Sequence, residues 1–382
     1  MITALSDRSH YSSLRQCVYL NQASLGLIGQ PAVTAMQAFL EEVGRHGNMK
    51  MSDSDEVAFF SLLREAAAAL LNCRQERLAI LSSAGEILSQ LPYLFRLPAG
   101  SRVLAVSSDF PAITRPWIAY AADNDCALHF VDESASQDLT DALIESIDTR
   151  TAVVAVSYVQ FSTGTLVDIP RLGAATRQVG ALLVVDVTQA AGAMPIDAES
   201  WDAEVVVCSG YKWLGGHGGV GLAVMSPRFL AQTPPAPGWM GAPDPFDFQA
   251  TALPLAEDAR RYTQSTMSYV SLKGLTVAIT ELLGLGLGAV EAHADALAAL
   301  LVEGLEGTGW TPYRSLGDKA AASHIITLTH RDGTVEAALK ALQAANIVCG
   351  SRNNRIRVSL AHYNDESDLR SLTRVLQRVS SS

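Results

Sequence analysis

Two apolar segments of this chain end in side chains that could do chemistry together. One ends in Asp186, and another ends shortly before Lys212, about 26 residues further on. Ligands of open parallel sheets gather at the carboxyl ends of the strands. A lysine amine can hold an aldehyde as an imine, and a carboxylate can keep a pyridine nitrogen protonated, so the pair predicts a site for pyridoxal phosphate. Taken singly, Lys212 could be a surface lysine in a turn and Asp186 a turn former or helix cap.

Other side chains are placed where they could contact the same cofactor. Ala84 and Gly85 stand between an apolar run and a helix, where free backbone N–H groups favour a phosphate. Ser209 could add a hydroxyl to that phosphate, Gln189 could hydrogen-bond the ring hydroxyl, and Phe110 could stack on the ring. The alternatives are an ordinary helix cap, a polar helix residue and a core phenylalanine.

Arg357 is an arginine between apolar residues, in the segment IRVSL. A buried guanidinium needs an anionic partner, and its fork of donors matches a substrate carboxylate. The alternative is a structural ion pair. Because His217, His324 and His362 form no ligand spacing with a cysteine, we predict no metal site.

Composition narrows the class of protein. The chain has 382 residues, 48% of them hydrophobic, and a net charge of −11. This length favours two or more domains, and the absence of a long basic run argues against nucleic acid as a partner. No apolar run reaches about 18–20 residues, the N-terminus lacks the apolar core of a signal peptide, and the five cysteines are scattered. We therefore expect a cytoplasmic protein with no membrane partner.

Short buried strands alternate with helical segments through the first two thirds of the chain. This pattern predicts an α/β fold with a mostly parallel sheet covered on both faces. The C-terminal part has the pattern of a smaller α+β unit. We place the boundary near residue 270, with a large domain at 1–270, including an N-terminal arm at 1–20, and a small domain at 271–382. The strands predicted in the large domain are 78–81, 102–106, 127–131, 152–156, 182–185, 204–208 and 221–225.

Together these segments resemble the class V aminotransferase branch of the fold-type I pyridoxal phosphate enzymes. That branch includes cysteine desulfurases, selenocysteine lyase, kynureninase and isopenicillin N epimerase. The resemblance spans almost the whole chain and implies a seven-stranded, mostly parallel sheet in the large domain. It rests on YLNQASLG, LSSAGE, DFP, SYVQFSTGT, DVTQ, SGYKW, QSTMSYVSLKGL and IRVSLAHYND, in that order.

The resemblance implies a role for each cofactor-binding residue. Lys212 would form the Schiff base, Asp186 would contact the ring nitrogen and Gln189 the ring oxygen. Tyr211 takes a position that is histidine in desulfurases and tyrosine in kynureninase. Phe110 falls where kynureninase has its stacking phenylalanine. The phosphate contacts implied are Ala84, Gly85 and Ser209.

The resemblance also implies substrate and subunit contacts. Arg357 matches the arginine that binds the substrate carboxylate. Thr266 matches a threonine that reaches the phosphate of a second subunit, which implies a homodimer. We expect substrate specificity to depend in part on Asn21 and Tyr158.

Two departures from the desulfurase pattern decide the predicted reaction. Desulfurases carry a nucleophilic cysteine on a mobile loop well before the carboxylate arginine, whereas Cys349 is eight residues before Arg357 with no such loop. Desulfurases also place an asparagine where this chain has Tyr158. The shortened form resembles the epimerase-like and C–S lyase-like members.

We therefore expect a pyridoxal phosphate-dependent lyase that performs β-elimination on cysteine or an S-substituted cysteine. A class V aminotransferase or an epimerase acting on an amino acid is the alternative. A protein of this fold that has lost catalysis and serves as a binding partner is a third interpretation. Retention of Lys212, Asp186 and Arg357 together argues against it.

Overall fold

The computed structural model describes residues 1–135, 138–317, 320–332 and 335–380. The predicted small domain also contains residues 318–319, 333–334 and 381–382, which are not among the described residues. The strands are β1 Val18–Leu20, β2 Leu78–Leu81, β3 Ser101–Val106, β4 Cys126–Val131, β5 Thr151–Ser157, β6 Leu182–Asp186, β7 Val205–Ser209, β8 Gly221–Met225, β9 Trp310–Pro312, β10 Ile325–His330, β11 Ile347–Arg352 and β12 Arg355–Ser359. The helices are α1 Gln30–His46, α2 Asp53–Leu71, α3 Ala84–Phe95, α4 Pro111–Asp123, α5 Leu139–Glu145, α6 Ile169–Val179, α7 Pro227–Leu230, α8 Tyr269–Leu285, α9 Leu287–Gly304, α10 Val335–Ala344 and α11 Glu366–Ser380.

A seven-stranded sheet forms the centre of the molecule, with the strand order β2-β8-β7-β6-β5-β3-β4. All neighbouring strands are parallel except that β8 runs antiparallel to both β2 and β7. The predicted α/β fold with a mostly parallel seven-stranded sheet is confirmed, and each strand predicted for it is present.

Helices cover both faces of this sheet. Successive side chains of a strand point to opposite faces, so Val184 packs into one apolar cluster with α3 and α4, and Val185 into another with α2, α6 and α8. Burial on both faces explains why these strands are continuous runs of valine and leucine rather than alternating patterns.

A second sheet of five strands has the order β1-β11-β12-β10-β9 and packs against α9, α10 and α11. Strand β1 was not predicted, and it runs parallel to β11 near the other end of the chain. Arg8 adds ion pairs to Asp365 and Asp368. The N-terminal arm is thus held by the C-terminal unit, whereas the division of the chain near residue 270 stays a prediction.

Within the described residues, no single helix has both the length and the apolar composition of a membrane span. Helices α8 and α9 meet this criterion only as a pair, and the pair is bent by 73° at its junction.

Candidate active site

Lys212 and Asp186 are brought together by two neighbouring parallel strands. Asp186 is the last residue of β6, and Lys212 follows β7 by three residues, at the same edge of the sheet. Both side chains are buried. Among the described residues, neither forms an ion pair within 4.0 Å. The structure therefore places a buried amine and a buried carboxylate at one edge of the sheet, and neither charge is neutralised by a direct ion pair.

Burial lowers the pKa of Lys212 to about 8, because a charged amine loses hydration. Asp186 opposes this shift by stabilising the ammonium form, whereas Arg357 and Arg352 add to it by repulsion. Burial raises the pKa of Asp186, although the backbone and hydroxyl of Thr188 donate to its carboxylate. The balance favours an amine that exchanges its proton near neutral pH.

The N-terminal segment forms a wall of the site by resting on the backbone of the lysine loop. The Gln22 amide donates to the carbonyl of Lys212 at 2.9 Å, and Gly26 N–H donates to the carbonyl of Tyr211 at 3.0 Å. A Cβ on Gly26 would overlap the Lys212 carbonyl oxygen, so this close approach requires glycine. Sequence reasoning missed Gln22, whose only signal was its place in the YLNQASLG motif.

The rings of Phe110 and Tyr211 both lie near the Lys212 amine. The amine is 5.2 Å from the centre of the Phe110 ring and 5.7 Å from that of Tyr211. Phe110 is 39% exposed and meets Phe161 edge-on, so one ring is held at the open side of the site. Burial raises the pKa of Tyr211, and Asp186 raises it further, so its hydroxyl stays protonated.

Asp109 is a site residue that the sequence did not single out. Its buried carboxylate accepts hydrogen bonds from the Phe110 N–H, from the backbone and hydroxyl of Ser157, and from the Gln160 amide. Burial raises its pKa to about 6 despite these donors. The carboxylate joins the loop after β3 to the end of β5 and thereby fixes the Phe110 backbone. The sequence feature that could have identified Asp109 is its position shortly after strand β3, which is similar to that of Asp186 at the end of β6.

The N-terminus of α3 is the predicted phosphate site. Ser83 caps the helix by accepting from Glu86 N–H, while Ala84 and Gly85 begin it. A Cβ on Gly221 would overlap the Ser83 backbone, so β8 and this turn touch directly. Ser209 closes the neighbouring strand, half-buried, with its N–H bonded to the Thr188 hydroxyl. The phosphate roles of Ala84, Gly85 and Ser209 remain proposals.

The Gln189 side chain already makes two hydrogen bonds within the protein. Its amide donates to the Ala23 carbonyl and accepts from the Trp213 indole, which leaves one amide hydrogen for a ring oxygen. Its own backbone carbonyl lies 2.6 Å from the His324 ring. Contact between Gln189 and the cofactor therefore remains a proposal.

Arg357 is fully buried on β12 of the smaller sheet, where it contacts the segment that follows β5. Its guanidinium donates to the Phe161 carbonyl at 2.7 Å and to the Ser24 hydroxyl at 2.5 Å, with Asn21 at 3.5 Å. The Nε atom has no hydrogen-bond partner. No described carboxylate pairs with this charge, so the structural ion pair considered from the sequence is not formed.

Tyr158 is not brought to this site, and we correct its predicted substrate contact. Its ring meets Trp201 at 5.0 Å in a separate cavity of about 810 Å³ that no other predicted site residue lines. Ser157 directs its hydroxyl to Asp109, and the next side chain points the other way. Thr266 is exposed just before α8 and touches none of these residues, so its contact with a second subunit stays a proposal.

The residues fit pyridoxal phosphate on the chemistry of the donor set. Asp186 is a buried carboxylate without a cation at ion-pair distance, and a protonated pyridine nitrogen would supply one. Lys212 is the buried amine among the described lysines, and α3 offers free N–H groups. The fold and this arrangement define a pyridoxal phosphate-dependent enzyme of fold-type I.

The chain belongs to the class-V aminotransferase family, whose model matches residues 18–372. Among relatives, the uncharacterized aminotransferase YcbU of Bacillus subtilis is 22% identical over 95% of this chain and 94% of its own length. Kynureninase of Burkholderia mallei is 30% identical over 61% of this chain and 57% of its own length.

Solved structures show the same fold. The cystine C–S lyase C-DES, in complex with cysteine persulfide, matches with a TM-score of 0.86 and 20% identity, over 97% of this chain and 99% of that one. A cysteine desulfurase of Thermococcus onnurineus matches with a TM-score of 0.86 and 18% identity, over 98% and 97%. The resemblance inferred from the sequence, and the cofactor it implies, are confirmed.

A buried histidine next to the site predicts how stability depends on pH. Burial lowers the pKa of His324 to about 4, below the usual value of 6.5. Between pH 6.5 and 4 the unfolded chain therefore binds a proton that the folded chain does not, and the free energy of unfolding falls as the pH falls. We expect His324→Gln, which keeps a donor for the Gln189 carbonyl, to reduce this loss by about 1–2 kcal/mol between pH 6.5 and 4.5.

Urea unfolding at a series of pH values measures this effect. The exposed His129 gives the matched control, because His129→Gln should leave the pH dependence as it is. An unchanged slope in His324→Gln would show that this ring is not the group responsible.

Proposed function

We propose that this enzyme is a C–S lyase that acts on cysteine or an S-substituted cysteine. With one water consumed, the reaction gives a thiol (sulfide from cysteine), pyruvate and ammonia. The observation that supports this proposal is the short hairpin β11–β12, whose tight turn precedes Arg357 where desulfurases carry a mobile cysteine loop.

The hairpin leaves no mobile segment for a nucleophilic thiol. Asn353 and Asn354 form its two-residue turn, with φ of 49° and 54°, the backbone typical of tight hairpins. Cys349 lies within β11, paired with Leu20, and burial raises its pKa to about 12. Burial also raises the pKa of the other four thiols, so all five cysteines favour the unreactive protonated form. Transfer of sulfur to a protein cysteine is disfavoured, and release of a free thiol is favoured.

The proposed roles follow from charge and position. Arg357 binds the substrate carboxylate, and Lys212 accepts the Cα proton, for which a pKa of about 8 is well suited. Asp186 keeps the ring nitrogen charged. When bound, pyridoxal phosphate supplies the electron sink for the bond electrons left at Cα. Phe110 and the N-terminal segment restrict the access of water.

An aminotransferase is the second candidate, because the relative YcbU is named an aminotransferase and matches nearly the full length of both chains. An epimerase would use the same proton removal at Cα. The three reactions share Lys212, Asp186 and Arg357 and differ in what happens after the proton has left.

Product analysis without a keto acid separates these reactions. We expect the holoenzyme and S-methylcysteine to give many equivalents of pyruvate and methanethiol per subunit. An aminotransferase would release no more than one equivalent of keto acid per subunit and would stop there until a second keto acid is added. Accumulation of the D-enantiomer without pyruvate would identify an epimerase. Cys349→Ser is the matched control, and a large loss of activity in it would contradict the proposed absence of a thiol nucleophile.

We also infer a homodimer in which Thr266 reaches the cofactor of the partner subunit. Supporting this, Thr266 is exposed in the single chain, and Trp239, Phe248 and Leu253 leave apolar surface uncovered. Sedimentation of the holoenzyme should give the mass of two chains. A fully active monomer would contradict the inference.

A further inference from the structure

A second guanidinium reaches the substrate side of Arg357. Arg352 is the last residue of β11, and its Nη2 lies 3.4 Å from the Ser24 hydroxyl. Arg357 on β12 donates to the same hydroxyl at 2.5 Å. The tight turn of the hairpin fixes this arrangement, because it aligns the two strands with Gly350 opposite Arg357. Two guanidinium groups thus meet at one serine oxygen.

The charges here are not balanced by the protein. In the part of the chain that the structure describes, no carboxylate lies within ion-pair distance of Arg352 or Arg357. Arg355, on the other side of the turn, does not belong to this group of charges, because its guanidinium stacks on the Tyr313 ring at 4.1 Å. Arg352 and Arg357 also lower the pKa of Lys212 by repulsion, so all three cationic groups act on one site. One substrate carboxylate would neutralise only part of this charge.

We propose that the substrate carries a second anionic group, a carboxylate on its side chain, and that Arg352 binds it while Arg357 binds the α-carboxylate. This inference rests on the proposed function, which supplies an amino acid as the substrate. Arg352 has donors to spare, because Nη1 bonds only the adjacent Ser351 carbonyl and Nη2 makes a single long bond, at 3.4 Å, to the Ser24 hydroxyl. A carboxylate would complete the guanidinium fork with charge-assisted hydrogen bonds.

A matched pair of substrates tests the role of Arg352. S-Carboxymethylcysteine and S-carbamoylmethylcysteine are nearly the same size and differ by one negative charge. We expect the wild-type enzyme to have a kcat/KM about tenfold higher for S-carboxymethylcysteine than for S-carbamoylmethylcysteine. This is the size of effect that one charge-assisted hydrogen bond at a half-exposed side chain can give. Arg352→Gln should remove the preference, and Arg352→Lys should keep part of it. The control Arg355→Gln should keep all of it. Equal use of both compounds by wild type, or an undiminished preference in Arg352→Gln, would overturn the proposal.

A binding measurement separates this proposal from the reaction itself. Glutarate and its monoamide carry no amine and cannot be turned over, so calorimetry reports only the second carboxylate. The holoenzyme should bind glutarate about tenfold more tightly, and Arg352→Gln should lose this difference. If the preference holds but neither cysteine derivative yields pyruvate, the lyase proposal fails and the role of Arg352 stands. If pyruvate forms without any preference, the lyase proposal stands and the role of Arg352 fails.

Discussion

Replacement of Lys212 by alanine is expected to lower turnover by about 10³-fold or more. Lys212 is buried at the end of a sheet strand beside Asp186, and no other described lysine is buried. In the proposed mechanism, loss of this amine removes both the acid–base step at Cα and covalent attachment of the cofactor. Steady-state assays with a cysteine derivative measure the first effect. Borohydride reduction followed by peptide mapping measures the second effect. In the variant, the reduced cofactor should be absent from the peptide that contains residue 212.

The exposed Lys50 gives a control for nonspecific effects of losing an amine. Lys50→Ala should retain wild-type turnover and cofactor attachment. The lowered pKa of Lys212 adds a second check. The rate of cofactor uptake by the cofactor-free protein should rise with pH, reach half of its maximum near pH 8 and level off above it, because the neutral amine is the nucleophile. Normal turnover in Lys212→Ala would rule out the proposed mechanism.

Removal of the Arg357 guanidinium is expected to give the second largest loss. Arg357→Ala should lower kcat/KM for an amino acid by about 10²–10³-fold, chiefly through KM, because truncating one partner of a buried charge pair costs about 2–5 kcal/mol. Arg357→Lys should recover part of the loss, since it keeps the charge but not the fork geometry. Steady-state kinetics of the three proteins test both expectations.

The carboxamide of the same amino acid is the matched control for Arg357. It lacks the carboxylate, so Arg357→Ala should change its kcat/KM much less than that of the acid. An equal loss with both compounds would assign Arg357 a structural role through Phe161 and Ser24 instead.

The placement of Lys212 and Asp186 at one edge of the sheet could be predicted because strand ends are visible in the sequence. Each residue follows a run of buried valines, and parallel topology brings such ends to one edge. Tyr158, in contrast, was predicted from the position it takes in the desulfurase pattern. Tyr158 directly follows β5. Whether such a residue faces the site depends on how side chains alternate between the two faces of the sheet. A strand of continuous apolar residues does not reveal that alternation in its sequence.

Contacts between distant parts of the chain were also beyond prediction. Strand β1 is only three residues long and pairs with β11, and nothing in its sequence identifies that partner. The bond from Arg357 to Ser24 crosses 333 residues, and the role of Asp109 depends on Ser157 in another strand. Periodicity reports local burial, whereas these contacts depend on how whole elements pack.

The wall formed by Gln22, Ser24 and Gly26 has a consequence for protein synthesis. The strands of the large sheet all lie between residues 78 and 225, so they can assemble while the ribosome is still extending the chain. Ser24 of this wall, in contrast, bonds Arg357 on β12, which lies 333 residues further along the chain. The wall of the pocket is therefore complete only after β12 has left the exit tunnel, and we expect stable capture of the cofactor to follow the synthesis of that strand.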